Sequence, residues 1–185
     1  MSELNLTKGE KIELSKTNPG LTKITVAGGW DIGDNFDLDL SAFLVGADGK
    51  LGAMANVVYF GAKKHASGAV ELDKDNLTGV GEGDDEKIFV DLSKIPADRN
   101  EVYFAINIYE AATRKQNFGM VKNAFIRAFN PIDNAVLAKY DLSEDYSTAT
   151  GVLAAKIYRH DSGWKFQALG EKLNGTINDI AKKFQ

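Results

Sequence analysis

Short runs with strand-like alternation recur along the chain, and this pattern constrains the fold more than any other feature. In the clearest run, residues 36–45, every second residue from Phe36 to Leu44 is apolar and lies on one face. Turn residues separate the runs, as in Ala47-Asp48-Gly49-Lys50, where Asp-Gly favours a tight hairpin turn. Many short strands with little helix predict an all-β fold, a two-sheet β-sandwich of about ten strands. The predicted strands cover residues 11–14, 21–27, 36–45, 57–60, 69–72, 87–92, 101–109, 124–129, 136–142, 153–159 and 164–169.

Helical spacing is confined to the end of the chain, over residues 174–185. The apolar residues that share one side of this segment are Leu173, Ile177, Ile180, Ala181 and Phe184. The spacing predicts a C-terminal amphipathic helix. It packs on the sandwich in the simplest case, or docks a partner or a membrane surface.

Composition limits the classes of protein that the chain can belong to. At 185 residues, with 44% apolar and 26% charged residues, it is most simply one globular domain over residues 1–185. The chain has no cysteine, which excludes disulfides and thiolate metal sites and fits a reducing compartment. Its beginning is polar and no apolar run could span a bilayer, so we expect a cytoplasmic protein with no transmembrane segment. The net charge of −4 argues against nucleic acid as the main partner.

Acidic side chains collect in two separate segments, residues 30–41 and residues 73–86. In the first segment Asp37 and Asp39 alternate along a predicted strand, so they share its polar face about 7 Å apart. The second segment adds acids to a glycine-rich stretch whose carbonyls can turn inward. Carboxylates this close repel one another unless a cation lies between them. The alternatives are a solvated strand face and a disordered acidic loop.

Oxygen-only ligands on an adaptable loop suit calcium better than other ions. Magnesium demands strict octahedral geometry and retains its waters. Zinc is disfavoured because His65 and His160 have no partner at ligand spacing, and both are expected in Ser-Gly turns instead of acting as bases. The segment that starts at Asp73 does not match an EF-hand calcium loop, because Thr78 occupies the position where that loop requires glycine. The sequence therefore predicts a cation site built from two distant segments, with no recognisable catalytic triad or phosphate-binding loop.

The acidic motifs and several others together resemble the TerD family of bacterial tellurite-resistance and stress proteins. The motifs lie at residues 29–31, 36–44, 75–86, 116–119, 123–127, 140–145 and 158–160. The resemblance covers nearly the whole chain. It implies a single TerD-like domain that folds as a calcium-binding β-sandwich and belongs to a cytoplasmic stress-response system. Its cofactors would be two neighbouring calcium ions.

The predicted calcium ligands come from both acidic segments. They are Asp31, Asp37, Asp39, Asp75, Asn76, Asp84, Asp85 and Glu86, with the carbonyls of Gly79 and Gly81. The resemblance implies tellurium resistance and an interaction module, not an enzyme. Its partners would be other stress or tellurite-resistance proteins at the inner membrane surface. The alternatives are an enzyme that uses the cation to polarise a substrate, and a scaffold that calcium stiffens.

Overall fold

Two six-stranded sheets form the framework of the computed structural model, which describes residues 4–31, 36–73, 83–142 and 144–185. The strands are β1 (Asn5–Leu6), β2 (Lys11–Glu13), β3 (Lys23–Asp31), β4 (Leu38–Val45), β5 (Val57–Val58), β6 (Val70–Leu72), β7 (Glu86–Asp91), β8 (Glu101–Ile108), β9 (Lys122–Phe129), β10 (Val136–Asp141), β11 (Gly151–His160) and β12 (Gly163–Leu173). The described α-helices are α1 (Ala111–Arg114) and α2 (Ile177–Lys182), and short 3-10 turns cover Met54–Asn56, Leu92–Lys94 and Phe118–Met120.

The strand order mixes early and late strands in both sheets. The first sheet runs β1-β10-β9-β3-β7-β6 and the second runs β2-β12-β11-β8-β4-β5. Neighbouring strands are antiparallel except for β1 and β10, which are parallel. The predicted all-β sandwich is confirmed, and each predicted strand has a counterpart. The strand that alternation did not predict is β1, whose two residues are too few to form a pattern.

The core lies between the sheets and follows the predicted alternation. Leu38, Leu40, Ala42 and Leu44 of β4 join the inner faces of β8, β11 and β3 in one apolar cluster. All eight residues of β4 are nevertheless buried, so its outer face is covered as well. In a strand covered on both faces, the residues that would usually be polar and face the solvent are buried as well.

The cover is α2, which packs on the outer face of the second sheet. Ile177, Ile180 and Phe184 form a second apolar cluster with Phe43 and Ala105. The Phe184 ring lies 5.6 Å from the Phe43 ring and 4.8 Å from the Tyr103 ring, centroid to centroid. A helix within the predicted segment is therefore confirmed, and its apolar side packs on the sandwich. It is shorter than residues 174–185, because Leu173 ends β12 and α2 covers Ile177–Lys182. Among the described residues, no helix is long and apolar enough to cross a membrane.

Candidate metal centre

The two acidic segments meet where β3 ends and β7 begins. The backbone N–H of Trp30 donates to Asp85 Oδ2 at 2.8 Å. The backbone N–H of Leu40 donates to Glu86 Oε2 at 2.6 Å. Acids of the second segment thus bind the backbone of the first, across 55 and 46 residues of sequence.

Close packing at Gly29 holds this junction together. A Cβ at this position would lie 2.6 Å from the Gly83 carbonyl oxygen and closer still to the Phe125 ring. Such contacts are not tolerated, so only glycine lets the backbone before Trp30 approach the end of the second segment. Trp30 itself is buried in the core cluster and fixes the end of β3.

Asp85 is a buried carboxylate with few compensating contacts. Its exposed fraction is 9%. Burial raises the pKa of Asp85, the Trp30 N–H opposes that rise, and the charges of Asp84 and Asp31 add to it. Desolvation disfavours the charged form, whereas a bound cation would favour it. This side chain therefore has chemistry that suits a cation ligand.

Glu86 is the most deeply buried of the predicted ligands that the structure describes. It is 1% exposed and shares the side of β7 occupied by the core residues Ile88 and Val90. Its carboxylate accepts the hydrogen bond from Leu40 of the opposite sheet, so it links the two sheets at this end of the sandwich. A charge buried this deeply is costly unless other groups stabilise it.

Asp84 forms a bidentate ion pair with Arg127 of β9. Its Oδ1 accepts from Arg127 Nε at 2.7 Å and its Oδ2 accepts from Arg127 Nη2 at 2.9 Å. The Lys87 Nζ lies 3.7 Å from Oδ2. A fork-to-fork pair of this kind is strong and directional. Asp84 therefore differs from Asp85, because a positively charged side chain already neutralises it.

Asp31 lies at the end of β3 and is exposed. Its Oδ2 accepts a hydrogen bond from Asn123 Nδ2 at the start of β9. Asn123 has a positive φ of 52°, a conformation that asparagine tolerates better than most residues. The contact fixes the orientation of Asp31 at the rim of the junction.

Asp37 and Asp39 lie on the β4 side of the junction. Asp37 precedes the first residue of β4, and its carbonyl accepts from the Tyr109 N–H at 2.8 Å. Asp39 is 4% exposed and stands opposite Asn107 of β8 in the strand register. It alternates with the inward-facing Leu38 and Leu40, so it faces the outer side of the second sheet. Asp39 and Glu86 therefore approach the junction from different directions.

The described carboxylates do not form a complete metal site by themselves. Within the ranges that the structure describes, no group of three or more histidine, cysteine, aspartate or glutamate residues is placed to hold a metal ion. Four predicted ligands, Asp75, Asn76, Gly79 and Gly81, lie outside the described residues. The predicted ligand set therefore stays a prediction: Asp85 and Glu86 contact the backbone of the first segment, whereas Asp39 faces the outer side of the second sheet.

A cavity of about 450 Å³ opens beside Asp39. It lies on the outer side of the second sheet, between α1 and the start of α2. Its lining comprises Asp39, Tyr59, Phe60, Asn107, Ile108, Tyr109, Glu110, Ala111, Ala112, Thr113, Thr150, Gly175, Thr176, Ile177 and Asn178. The cavity is therefore a neighbour of the acidic junction on the β4 side.

Each of the two histidines stands directly before a turn, at residues 66–67 and 161–162. His65 is 6% exposed, its Nδ1 contacts the Ser67 hydroxyl oxygen at 2.8 Å, and its Nε2 contacts Asn56 Oδ1 at 3.0 Å. Burial and the nearby Arg99 charge lower the pKa of His65, which favours the neutral ring. His160 ends β11 beside the exposed Asp161. Both contacts are those of structural turn residues.

Three residues of this region were not predicted from sequence. Arg127 and Asn123 both lie in the motif at residues 123–127, for which no contact was predicted, and Asn107 interrupts a long apolar strand. Only the last gave a local signal, since a polar residue within an otherwise buried run has to be accommodated.

The family of the chain follows from comparison with known proteins. A sequence model of the TerD domain matches residues 2–184. The chain belongs to the TerD family. General stress protein 16U of Bacillus subtilis (strain 168) is 44% identical over 186 residues, covering 98% of this chain and 96% of that protein. The tellurium resistance protein TerD of Alcaligenes sp is 40% identical over 185 residues, covering 98% of this chain and 96% of that protein.

A solved structure gives the same fold. The crystal structure of a TerD homologue from Streptomyces coelicolor A3(2) has a TM-score of 0.72 and 23% sequence identity. The match covers 88% of this chain and 96% of the Streptomyces chain. The resemblance predicted from the motifs is confirmed, and the names of these TerD relatives indicate no catalytic activity.

Proposed function

We propose that this TerD-family protein is a calcium-binding component of a bacterial tellurite-resistance and general stress-response system. Its relatives carry both kinds of name, which supports the system. The observation that carries the calcium proposal is the junction itself. Asp85 and Glu86 are buried, and their carboxylates contact the backbone of the segment that contains Asp31, Asp37 and Asp39.

The donor chemistry of the described residues fits calcium. The candidate ligands there are carboxylates, and oxygen donors of this kind are the ones that calcium prefers. Asp85 and Glu86, with Asp31, Asp37 and Asp39, would hold the ion from the described part of the chain. Asp75, Asn76, Gly79 and Gly81 would complete its coordination, and two ions are the proposed stoichiometry. Calcium would supply positive charge that offsets the desolvation of these acids.

Asp84 has a supporting role in this proposal. Its bidentate pair with Arg127 anchors the start of β7 to β9. Each carboxylate oxygen keeps a further lone pair, so Asp84 can contact an ion without releasing Arg127. Its contribution to calcium affinity is expected to be smaller than that of Asp85.

The proposed role of calcium is to hold an interaction surface in one conformation. Because the ion would join both sheets at one end, its removal would loosen the junction that the two segments share. The partners we propose are other stress or tellurite-resistance proteins, in the cytoplasm and at the inner membrane surface. Under this proposal chelation abolishes partner binding, whereas under a purely structural role chelation lowers stability alone.

A cation-dependent enzyme is the second candidate function, and the cavity beside Asp39 favours it. A concave pocket next to a metal ligand is a common arrangement in catalytic sites. Within the described lining the cavity carries no histidine, lysine or cysteine that could act as base or nucleophile. Turnover of a substrate that stops on chelation would support this candidate over the interaction module.

The experiment that tests the calcium proposal is a double-mutant cycle on Asp39 and Asp85. Calcium affinity is measured by calorimetry for wild type, Asp39→Asn, Asp85→Asn and the double variant. Each single change is expected to weaken binding by roughly tenfold, about 1.4 kcal/mol, because each removes a charged ligand. The double variant is expected to lose less than the sum, because ligands of one ion are coupled.

A matched control is available at Asp161, an exposed acid in the turn between β11 and β12. Its φ is 52°, which asparagine tolerates, so Asp161→Asn makes the same chemical change away from the junction. It is expected to leave calcium affinity unchanged. Strict additivity of Asp39→Asn and Asp85→Asn would mean that the two segments do not share an ion.

A further inference from the structure

The cavity on the outer side of the second sheet has the size of a small-molecule site. Its volume of about 450 Å³ lies within the range of roughly 300–1,000 Å³ that ligand pockets occupy. Ile108 of β8, Ala111 of α1 and Ile177 of α2 line it, and all three are buried. Apolar side chains of three different elements therefore meet around one space that has room for two fused rings.

One wall of the cavity is a row of three aromatic rings. The Phe60 ring lies 5.3 Å from the Tyr59 ring and 5.7 Å from the Tyr109 ring, centroid to centroid and edge to face in both cases. Phe60 is 37% exposed and Tyr109 is 36% exposed, so both present apolar surface at the opening. Apolar side chains that cluster and stay exposed in this way are typical of ligand-binding grooves.

The rings of this wall are held in place by the fold itself. The backbones of Tyr59 and Ala62 exchange hydrogen bonds of 3.1 and 2.9 Å, which closes a tight turn between them. A Cβ at Gly61 would lie 2.6 Å from the Tyr59 ring, so that ring packs directly against the turn. At the other end of the row, the Arg114 guanidinium lies 5.6 Å from the Tyr109 ring centroid. Because the wall is already ordered, a ligand that packs against it loses little free energy to the ordering of side chains.

The charged groups of the described lining are engaged elsewhere. They are Asp39 and Glu110. Asp39 is 4% exposed, has an interaction within the fold and is one of the proposed calcium ligands. The Glu110 carboxylate lies 3.7 Å from Arg114. The described lining includes no lysine, arginine or histidine that could neutralise an anion. A charged ligand would lose its hydration there without gaining a partner, so the cavity favours an uncharged one.

We propose that this cavity binds an uncharged aromatic molecule of about two rings. The ring system packs against Tyr59, Phe60 and Tyr109 in the edge-to-face and offset contacts that aromatic pairs prefer. A neutral polar group on the ligand, such as a hydroxyl, lies at the rim beside the exposed Thr113 and Asn178. The site is separate from the calcium proposal, because none of these contacts involves a metal ion.

The test titrates four probes of similar shape into the full chain at neutral pH and in excess chelator, by calorimetry and by chemical-shift changes. The probes are the neutral 2-naphthylmethanol, the cationic 2-naphthylmethylamine, the anionic 2-naphthoate and the saturated decalin-2-methanol. The neutral aromatic alcohol is expected to bind about tenfold more tightly than either charged probe, because a charge loses hydration in the cavity without a partner. It is expected to bind about fivefold more tightly than the saturated alcohol, because only an aromatic ring gains the contacts with the wall.

Three results would overturn the proposal. They are no binding of the neutral aromatic alcohol, tightest binding by a charged probe, and binding of the saturated alcohol as tight as that of the aromatic one.

Variants at exposed positions place the binding in the cavity. Phe60→Ala is expected to weaken binding of the aromatic alcohol about fivefold, because it removes the central ring of the wall. Ala112→Phe adds a ring to the lining from the exposed side of α1 and is expected to weaken binding at least tenfold, because it fills the space that the ligand needs.

Each variant has a matched control outside the lining. Phe89→Ala removes a 44% exposed ring from the first sheet, and Ala97→Phe adds a ring at an exposed turn. Both controls are expected to bind the aromatic alcohol as wild type does. Wild-type affinity in Phe60→Ala and Ala112→Phe as well would place the binding elsewhere and contradict the proposal.

Discussion

The Asp85 carboxylate lowers the stability of the folded protein and is also a candidate calcium ligand. Burial raises its pKa, and the charges of Asp84 and Asp31 act in the same direction. The folded protein therefore binds the Asp85 proton more tightly than the unfolded chain does. Above the raised pKa, the ionised Asp85 side chain therefore lowers the free energy of unfolding. This loss is absent below pH 3.8, the ordinary pKa of an aspartate, because Asp85 is then protonated in both states.

Asp85→Asn is accordingly expected to raise the melting temperature of the calcium-free protein at neutral pH. The asparagine Oδ1 can still accept the Trp30 hydrogen bond, while the buried charge is gone. The gain should shrink as the pH falls and vanish below 3.8, where Asp85 is protonated in both states. Thermal unfolding in chelator across this pH range measures the difference.

Asp161→Asn provides a control of opposite sign. The hydrogen bond from Lys16 lowers the pKa of Asp161, so its ionised form stabilises the fold above its ordinary pKa. Its replacement is expected to lower stability slightly at neutral pH. A calcium-free Asp85→Asn protein that melts below wild type at neutral pH would contradict the assignment of Asp85 as a desolvated acid.

At the scale of elements, α2 explains why β4 is buried on both faces. The spacing of Ile177, Ile180 and Phe184 was sufficient to predict the helix, because amphipathic periodicity is a local property. It did not identify the surface beneath the helix. That surface, which includes Phe43 and Tyr103, is assembled from β4 and β8, which are paired only in the folded sheet.

Phe184→Ala is expected to reduce the free energy of unfolding by about 3 kcal/mol, because it empties a packed position between the Phe43 and Tyr103 rings. Urea denaturation measures this loss. Phe89→Ala, at a 44% exposed position, is the control and should change stability by less than about 0.5 kcal/mol. Equal losses in the two variants would mean that α2 does not pack on the second sheet in solution.

At the scale of the whole molecule, the sequence carries more about the fold than about the site. The alternation within β4 or β8 is local, and it predicted the strands. The contacts of the site depend on strand order and register, which are not local. Arg127 reaches Asp84 across 43 residues because β9, β3 and β7 are neighbours in the first sheet. Asn107 faces Asp39 only because β8 pairs with β4 in one particular register.

The same architecture gives calcium its proposed effect on the whole protein. Glu86 of the first sheet bonds to Leu40 of the second, so the acidic junction joins the two halves of the sandwich. With a net charge of −4 and ten of its 26 acidic residues in two short segments, the chain has unfavourable self-repulsion that a cation would reduce. Calcium binding should therefore stabilise the entire fold and not one loop alone.

The most direct test is thermal unfolding of the wild-type protein in calcium, in magnesium and in chelator. A site that exists only in the folded state stabilises it by about 2.7 kcal/mol when the free ion is at a hundredfold excess over its dissociation constant. We predict a gain of that size for each calcium ion bound, and a clearly smaller gain in magnesium at the same concentration. A melting curve that is the same in calcium, magnesium and chelator would contradict the calcium site.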